Sequence, residues 1–411
     1  LAAFSEKDSC MLLRPATGTV LGIKRELLDT LREKKISKEL AFTMIQRGLA
    51  DYDQSRKVSA CRERIYPDFF LIDLTKKCNL ACRYCFREFA DQYPKMTMEM
   101  IDRICDSLLE YWKRYPMLRL SIQAWGGEPL LCLPQIVHIR ERFETENLKP
   151  QIVMETNATL MTERAAAELF RNHIELGISI DGTGEVHDLQ RPFRDGSGSL
   201  ASVLQGIDNL RKVGYEGFGT ITVVTRDTIS HLAEIIDFFS QIPLRSVKFN
   251  MMRKNERNKE LAPDPKEFGE YSEKLLSCLY NLYQKRIPFV EQNVAQRMKN
   301  LMYRPNDNIC SSCGCHGGFR MLSIDSVGKV FPCELSDYED YCIGTVGERD
   351  YAEMVNQAVY ENHEYFRERD LTECAKCPWE YYCRGGCKAA VKYAVGTPQK
   401  RDITECAFNM A

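Results

Sequence analysis

From residue 69 to residue 250 the chain alternates short, apolar, β-branched runs with amphipathic stretches, and few folds can absorb that rhythm. The runs are FFLIDLT (69–75), LRLSIQAW (118–125), QIVMETN (151–157), IELGISID (174–181), FGTITVVT (218–225) and LRSVKFN (244–250). Between them lie helix-period stretches at 98–114, 134–146, 162–172, 199–213 and 229–240. Six β–α steps of this length predict an α/β fold, a parallel sheet with crossover helices. Runs without polar alternation predict a sheet covered on both faces. Periodicity leaves two forms open, a doubly wound sheet and a barrel.

Directly after the first run comes LTKKCNLACRYCF, in which Cys78, Cys82 and Cys85 are spaced C-x3-C-x2-C. Three thiolates this close can ligate three irons of a [4Fe–4S] cube and leave the fourth open. Four-cysteine ferredoxin spacings saturate their cluster and suit plain electron transfer. The alternatives are a zinc site, which normally takes four ligands from paired C-x2-C units, and reduced structural thiols. Following the first strand, the triplet falls at the C-terminal rim of the sheet, where such folds put active sites.

CNLACRYCF resembles the signature loop of radical S-adenosylmethionine (SAM) enzymes, with Tyr84 as the aromatic before the third cysteine. The resemblance runs over residues 69–411 and implies a partial (β/α)6 TIM barrel. It also implies that the open iron is chelated by SAM, which is cleaved to methionine and a 5′-deoxyadenosyl radical. Gly126, Gly127, Glu128 and Pro129, in WGGEP, resemble the family's GGE motif around the SAM amino group. An ammonium suits carbonyls and a carboxylate without steric bulk; a plain turn is the other reading of the glycines. Asn157 in METNATL matches a polar contact to SAM. Ser179 in ISIDG and Arg191 in HDLQR match residues that grip the methionyl carboxylate or ribose. An arginine fork is a natural partner for a carboxylate. Turn chemistry also accounts for Asn157 and Ser179, and Asp181 is a turn former or a site residue.

Ten of the eighteen cysteines fall in residues 310–411, a stretch rich in glycine and short aromatic segments. So loop-rich a stretch is expected to be held by metal. Cys374, Cys377, Cys383 and Cys387 read C-x2-C-x5-C-x3-C, and Cys406 follows; upstream stand Gly328 and Cys333, preceded by Cys310, Cys313 and Cys315. This resembles the seven-cysteine SPASM pattern, which implies two auxiliary [4Fe–4S] clusters and three in all. Carried over, Cys374, Cys377, Cys383 and Cys406 hold an outer cluster. Cys333, Cys387 and two of Cys310, Cys313 and Cys315 hold an inner one. Cys342 is a further thiol nearby. Zinc ribbons are the alternative.

Residues 256–305 read as a charged helical bridge, and residues 306–411 as the SPASM domain. Residues 67–255 form the barrel, and residues 1–66 a small α+β element. That element has a strand pair around MLLRPATGTVLGI and helices near 25–34 and 37–48. Its size and order match a shortened, winged-helix-like leader-peptide recognition module or a cap on the barrel. Cys10, Cys61, Cys105, Cys132 and Cys278 lie outside clusters and read as small buried hydrophobes.

A net charge of −2 argues against a nucleic-acid partner. Nothing resembles a signal peptide or a membrane span, and the expected location is cytoplasmic. The family implies a two-electron substrate oxidation and a reductase partner such as flavodoxin or ferredoxin. Members with this layout mostly modify ribosomally made precursor peptides carrying a leader. The expected function is therefore a radical SAM peptide maturase installing an oxidative crosslink, with a Cys thioether favoured. Carbon–carbon crosslinking and sulfatase-type formylglycine formation are the alternatives, and a multi-cluster electron carrier is the non-enzymatic one. Glu334, in FPCELSD, stands where sulfatase-maturing relatives carry Asp, and is the candidate base.

Overall fold

The computed structural model describes residues 2–6, 9–14, 19–33, 36–47, 49, 65–87, 94–303, 315–375 and 377–410. The expectations for Cys61, Cys310 and Cys313 lie outside the described residues.

Each of the six apolar runs is a strand. They are β4 (Phe69–Asp73), β5 (Ser121–Trp125), β6 (Gln151–Thr156), β7 (Glu175–Ser179), β8 (Gly219–Val224) and β9 (Val247–Met251), following β1 to β3 of the N-terminal element. They lie side by side in chain order, and every neighbouring pair is parallel. A doubly wound sheet reverses its order at a switch point, whereas a barrel wall does not. The fold is therefore the partial barrel.

The register places Phe70 beside Ile122 and Ile122 beside Ile152. These residues are fully buried with Ile72, Ala124 and Met154. The crossover helix Met98–Arg114 covers them with Ile101, Ile104 and Leu108, and Thr97 caps its first turn by accepting the Met100 N–H. Burying each such side chain contributes roughly 1.5–3 kcal/mol. Cys105 and Cys132 join this core and Cys10 the N-terminal one, while Cys278 is only half-buried.

The C-terminal region leans on the barrel more directly than its loop-rich sequence predicts. Its strands are β10 (Met321–Ile324), β11 (Lys329–Phe331) and β12 (Gly344–Thr345). β10 pairs parallel to the free edge of β4, Met321 opposite Phe69 and Ile324 opposite Ile72. β11 and β12 continue antiparallel, so one nine-stranded sheet runs through both regions. The last helix, Ile403–Met410, packs on the bridge. Phe408 lies 6.2 Å from the Tyr271 ring and beneath the Arg297 guanidinium, and Arg297 also pairs with Glu405 at 2.6 Å.

The N-terminal element is a three-stranded antiparallel sheet of β1 (Ala2–Glu6), β2 (Ser9–Arg14) and β3 (Thr19–Lys24), where two strands were expected. Helices Arg25–Arg32 and Lys38–Gln46 pack on it around Cys10, Leu12, Ile23, Leu28 and Met44. Among the described residues no helix is long and apolar enough to cross a membrane.

Candidate active site

The loop after β4 carries the cysteine triplet and is fixed from behind by the loop after β5. Gly127 donates its N–H to the Thr75 carbonyl at 2.7 Å, and Glu128 donates to that of Lys77 at 2.9 Å. A side chain has no room here, since a Cβ on Gly127 would stand 2.2 Å from the Lys77 carbonyl oxygen. One on Gly126, at φ +149°, would stand 2.5 Å from that of Thr75. Sequence reasoning expected the glycines to face SAM. Their visible role is to seat the triplet loop.

Glu128 is fully buried behind that loop. Its carboxylate accepts from Thr156 Oγ1 at 2.6 Å, Asn157 N–H at 2.9 Å and Leu130 N–H at 3.0 Å. Burial pushes its pKa up and these donors pull it down. Asn157 reaches forward, donating to Asn79 Oδ1 at 3.0 Å and lying 3.9 Å from Cys78 Sγ. Thus WGGEP and METNATL meet at the triplet loop.

Cys78, Cys82 and Cys85 stand close together: Cys85 raises the cost of ionising Cys78 and Cys82, and Cys78 that of Cys82. Burial is the larger cause, pushing Cys78 up to about 11 and Cys82 up to about 12. Cationic irons reverse that cost, because a metal binds the thiolate. Arg191 stands among these thiols, 8% exposed. It hydrogen-bonds Tyr84 Oη through Nη1 and lies 3.9 Å from Asp181 Oδ2, which accepts from Tyr84 at 2.6 Å. Among the described residues its Nε has no hydrogen-bond partner. A buried guanidinium with an unused N–H beside three thiols suits a cluster together with a carboxylate ligand. Among the described residues, no three His, Cys, Asp or Glu side chains gather around one ion-sized point. A cube spreads its thiolates over separate irons.

Ser179 ends β7 half-buried, and Asp181, two residues on, is fully buried. The Asp181 Oδ1 accepts the Val223 N–H at 2.9 Å, so its role is structural as well as electrostatic.

Sequence reasoning missed His187. Its Nδ1 accepts the Asp181 N–H at 3.2 Å, so Nε2 carries the proton and meets Ser199 Oγ at 3.1 Å. Ser199 in turn donates to the Arg191 carbonyl at 2.5 Å. Burial holds the ring neutral, with a pKa lowered to about 3. A depressed pKa means the unfolded chain binds the extra proton first as pH falls. His187 therefore contributes its full stability above pH ~6.5 and loses it progressively toward pH 3. Between pH 6.5 and 5 the expected loss is about 2 kcal/mol, from ~1.4 kcal/mol per unit. Thermal melts over that range should fall more steeply for the natural chain than for His187→Asn, whose amide oxygen can accept the same N–H.

A polar seam joins the triplet loop to the C-terminal region. Lys76 pairs with Asp337 at 2.9 Å, and Asp337 also accepts from Tyr393 Oη at 3.2 Å. The Tyr393 ring packs on Phe86 at 5.0 Å, and the Arg253 guanidinium lies 4.8 Å from the centroid of the Phe86 ring. Arg253 forms a close ion pair with Glu334. Glu334 is mostly buried at this seam, its side chain 14% exposed, and is not a solvated surface acid. Deeper, Arg87 pairs with buried Asp73 and stacks 4.2 Å over Trp125.

The C-terminal cysteines form two groups. Cys374, Cys377, Cys383 and Cys406 line one recess. Arg369 shapes its floor by donating to the carbonyls of Arg384, Gly385, Gly386 and Lys400. Cys315, Cys333 and Cys387 face one another in a second group around Tyr365. Cys342 instead donates to the Gly344 carbonyl at 3.4 Å and lies near Lys329.

Residues 72–239 match the radical SAM superfamily, and residues 315–378 match an iron–sulfur cluster-binding domain, SPASM. The chain belongs to the radical SAM/SPASM proteins, a class whose domains imply [4Fe–4S] clusters and SAM. Among its relatives is a cysteine-type anaerobic sulfatase-maturating enzyme of Clostridium novyi (strain NT), 26% identical over 338 residues, 76% of this chain and 86% of that one. Among solved structures, anSMEcpe with bound AdoMet superposes with a TM-score of 0.72 at 21% identity. That match covers 83% of this chain and 94% of the other. SuiB of Streptococcus suis, bound to its precursor peptide SuiA, gives 0.61 at 14% identity and covers 98% and 99%.

Proposed function

We propose that this radical SAM enzyme matures a ribosomally made, leader-bearing peptide by installing an oxidative crosslink, with a Cys thioether as the favoured product. The observation that carries the proposal is Glu334. It is an acid drawn out of solvent at the seam between the triplet loop and the C-terminal cysteines, paired with Arg253, whose guanidinium lies over Phe86. A carrier of electrons has no use for a carboxylate there.

In the proposed assignment Cys78, Cys82 and Cys85 hold one cluster. Cys374, Cys377, Cys383 and Cys406 hold a second, and Cys333 and Cys387, with two of Cys310, Cys313 and Cys315, hold a third. A cluster held by the triplet, with SAM beside it, would supply the abstraction of one hydrogen atom from a peptide carbon. Arg191 anchors the SAM carboxylate, and Tyr84, Gly126, Gly127, Glu128, Asn157 and Ser179 shape the space around SAM. Joining a peptide C–H to a Cys S–H releases that hydrogen atom, one proton and one electron. Glu334 takes the proton. The electron would leave to a cluster held by the C-terminal cysteines, and a flavodoxin- or ferredoxin-type reductase would supply electrons to the triplet.

The outer strands β1 and β3 of the N-terminal sheet suit a leader bound as an added strand. Support comes from SuiB, whose match runs nearly the whole length of this chain and whose structure holds a precursor peptide. A second reading, formylglycine formation, draws on the sulfatase-maturating relative.

The test is mass spectrometry of a Cys-containing precursor peptide after anaerobic incubation with reconstituted enzyme, SAM and reductant, with thiols alkylated afterwards. The expected result is loss of two hydrogens and one alkylatable thiol per event. Two hydrogens lost with every thiol still free means carbon–carbon crosslinking, and an aldehyde in place of the thiol means formylglycine. Glu334→Gln should lower product formation by about 10²-fold or more while 5′-deoxyadenosine is still made.

A further inference from the structure

Tyr365 is fully buried, yet its hydroxyl sits in the middle of the second cysteine group. The oxygen is 3.5 Å from Cys315 Sγ, and the thiols of Cys333 and Cys387 face the same hydroxyl. Around it the packing is apolar, with Phe331, Leu335, Tyr341 and Ala389 in one cluster. The approach is built in. A Cβ on Gly317 would lie 2.1 Å from the Tyr365 oxygen and 3.2 Å from Cys333 Cβ, so only a glycine leaves the hydroxyl its place.

Behind the ring stands a buried cation. Lys388, the residue after Cys387, is 7% exposed. Its Nζ donates to the Tyr365 carbonyl at 2.5 Å and lies 4.6 Å from the ring centroid. Holding an ammonium in such a place is costly unless it is compensated, and a carbonyl with an aromatic face supplies part of that. A phenol is not needed for packing here, because phenylalanine would fill the same space. The hydroxyl directs its positive end at Cys315, and the ammonium lies over the ring that carries that hydroxyl.

We propose that Tyr365 donates its O–H to the Cys315 thiolate of the inner iron–sulfur site and, backed by Lys388, raises the reduction potential of that site. This rests on the assignment of Cys315, Cys333 and Cys387 to one cluster. A donor to a cluster thiolate stabilises the more negative, reduced form, and so does a cation in a low-dielectric surrounding. Tyr365 is a positioning and tuning residue: it touches a ligand, not the substrate.

The experiment is an EPR-monitored redox titration of the reconstituted full chain, natural and Tyr365→Phe, with Cys315→Ser used to assign the inner signal. The expected result is a more negative midpoint for the inner signal in Y365F, with the other midpoints unchanged. Lys388→Met should shift the same signal in the same direction, and decides the matter if Y365F does not load iron. Unchanged midpoints in the loaded variants overturn the proposal. If Cys315→Ser removes no signal from the fully reconstituted chain, the ligand assignment itself fails and the tuning proposal falls with it.

Discussion

Gly127→Ala is expected to empty the triplet loop of iron. The cause is steric and local. The added methyl would sit 2.2 Å from the Lys77 carbonyl oxygen, 2.6 Å from its carbon and 3.1 Å from the Cys78 nitrogen. All three are main-chain atoms at the first cysteine, so no flexible side chain can swing aside. Either the loop moves off the Thr75 and Lys77 carbonyl hydrogen bonds, or the β5 end moves off the sheet. Overpacking of this kind costs about 1–3 kcal/mol when a core can yield, and this contact is between two backbones. Iron and sulfide counts on reconstituted protein should fall by one cluster, with the C-terminal sites still filled. Full loading with an unchanged melting temperature would contradict it.

Arg191→Gln should cost both stability and SAM binding. The guanidinium is the partner of Tyr84 and neighbours Asp181, which has no exposed surface. Removing one member of a buried pair costs about 3–5 kcal/mol, because the remaining charge is left uncompensated. Burial already pushes the Asp181 carboxyl up and Arg191 is the main influence opposing it, so the variant should bury a protonated acid. Losing a charged hydrogen bond to a ligand carboxylate costs about 1.5–3 kcal/mol, or roughly 10–100-fold in affinity. Calorimetric titration of SAM into the reconstituted variant measures the second effect, and thermal melts of the apoprotein measure the first. Arg191→Lys keeps the charge but not the fork, and should recover stability better than binding.

The barrel was legible because each strand is a compact apolar run and each helix has a clean period. FFLIDLT, QIVMETN and FGTITVVT became strands within a residue or two of their apolar edges. β10 and β11 were not legible, being four and three residues long. What fixes β10 is the open edge of β4, some 250 residues away in sequence, as Met321 opposite Phe69 shows. Local propensity carries no trace of such a pairing.

The same distance hid much of the site. The Cys triplet, WGGEP and the C-terminal cysteines announce themselves by spacing. The Glu334–Arg253 pair, the Lys76–Asp337 bridge and the Tyr365 hydroxyl beside Cys315 are made by residues 50 to 261 positions apart. His187 had a signal, since it stands in the HDLQR run already chosen for Arg191. Its role was invisible because a neutral, two-bonded histidine is chosen by its partners, Asp181 and Ser199.

The most direct test of the account is whether the chain cleaves SAM. Reconstituted protein, held anaerobically with SAM and dithionite, should release 5′-deoxyadenosine and methionine, and Cys82→Ala treated identically should release neither. A natural chain with its triplet loop loaded with iron that yields no 5′-deoxyadenosine would contradict the assignment of Cys78, Cys82, Cys85 and Arg191 to radical SAM chemistry.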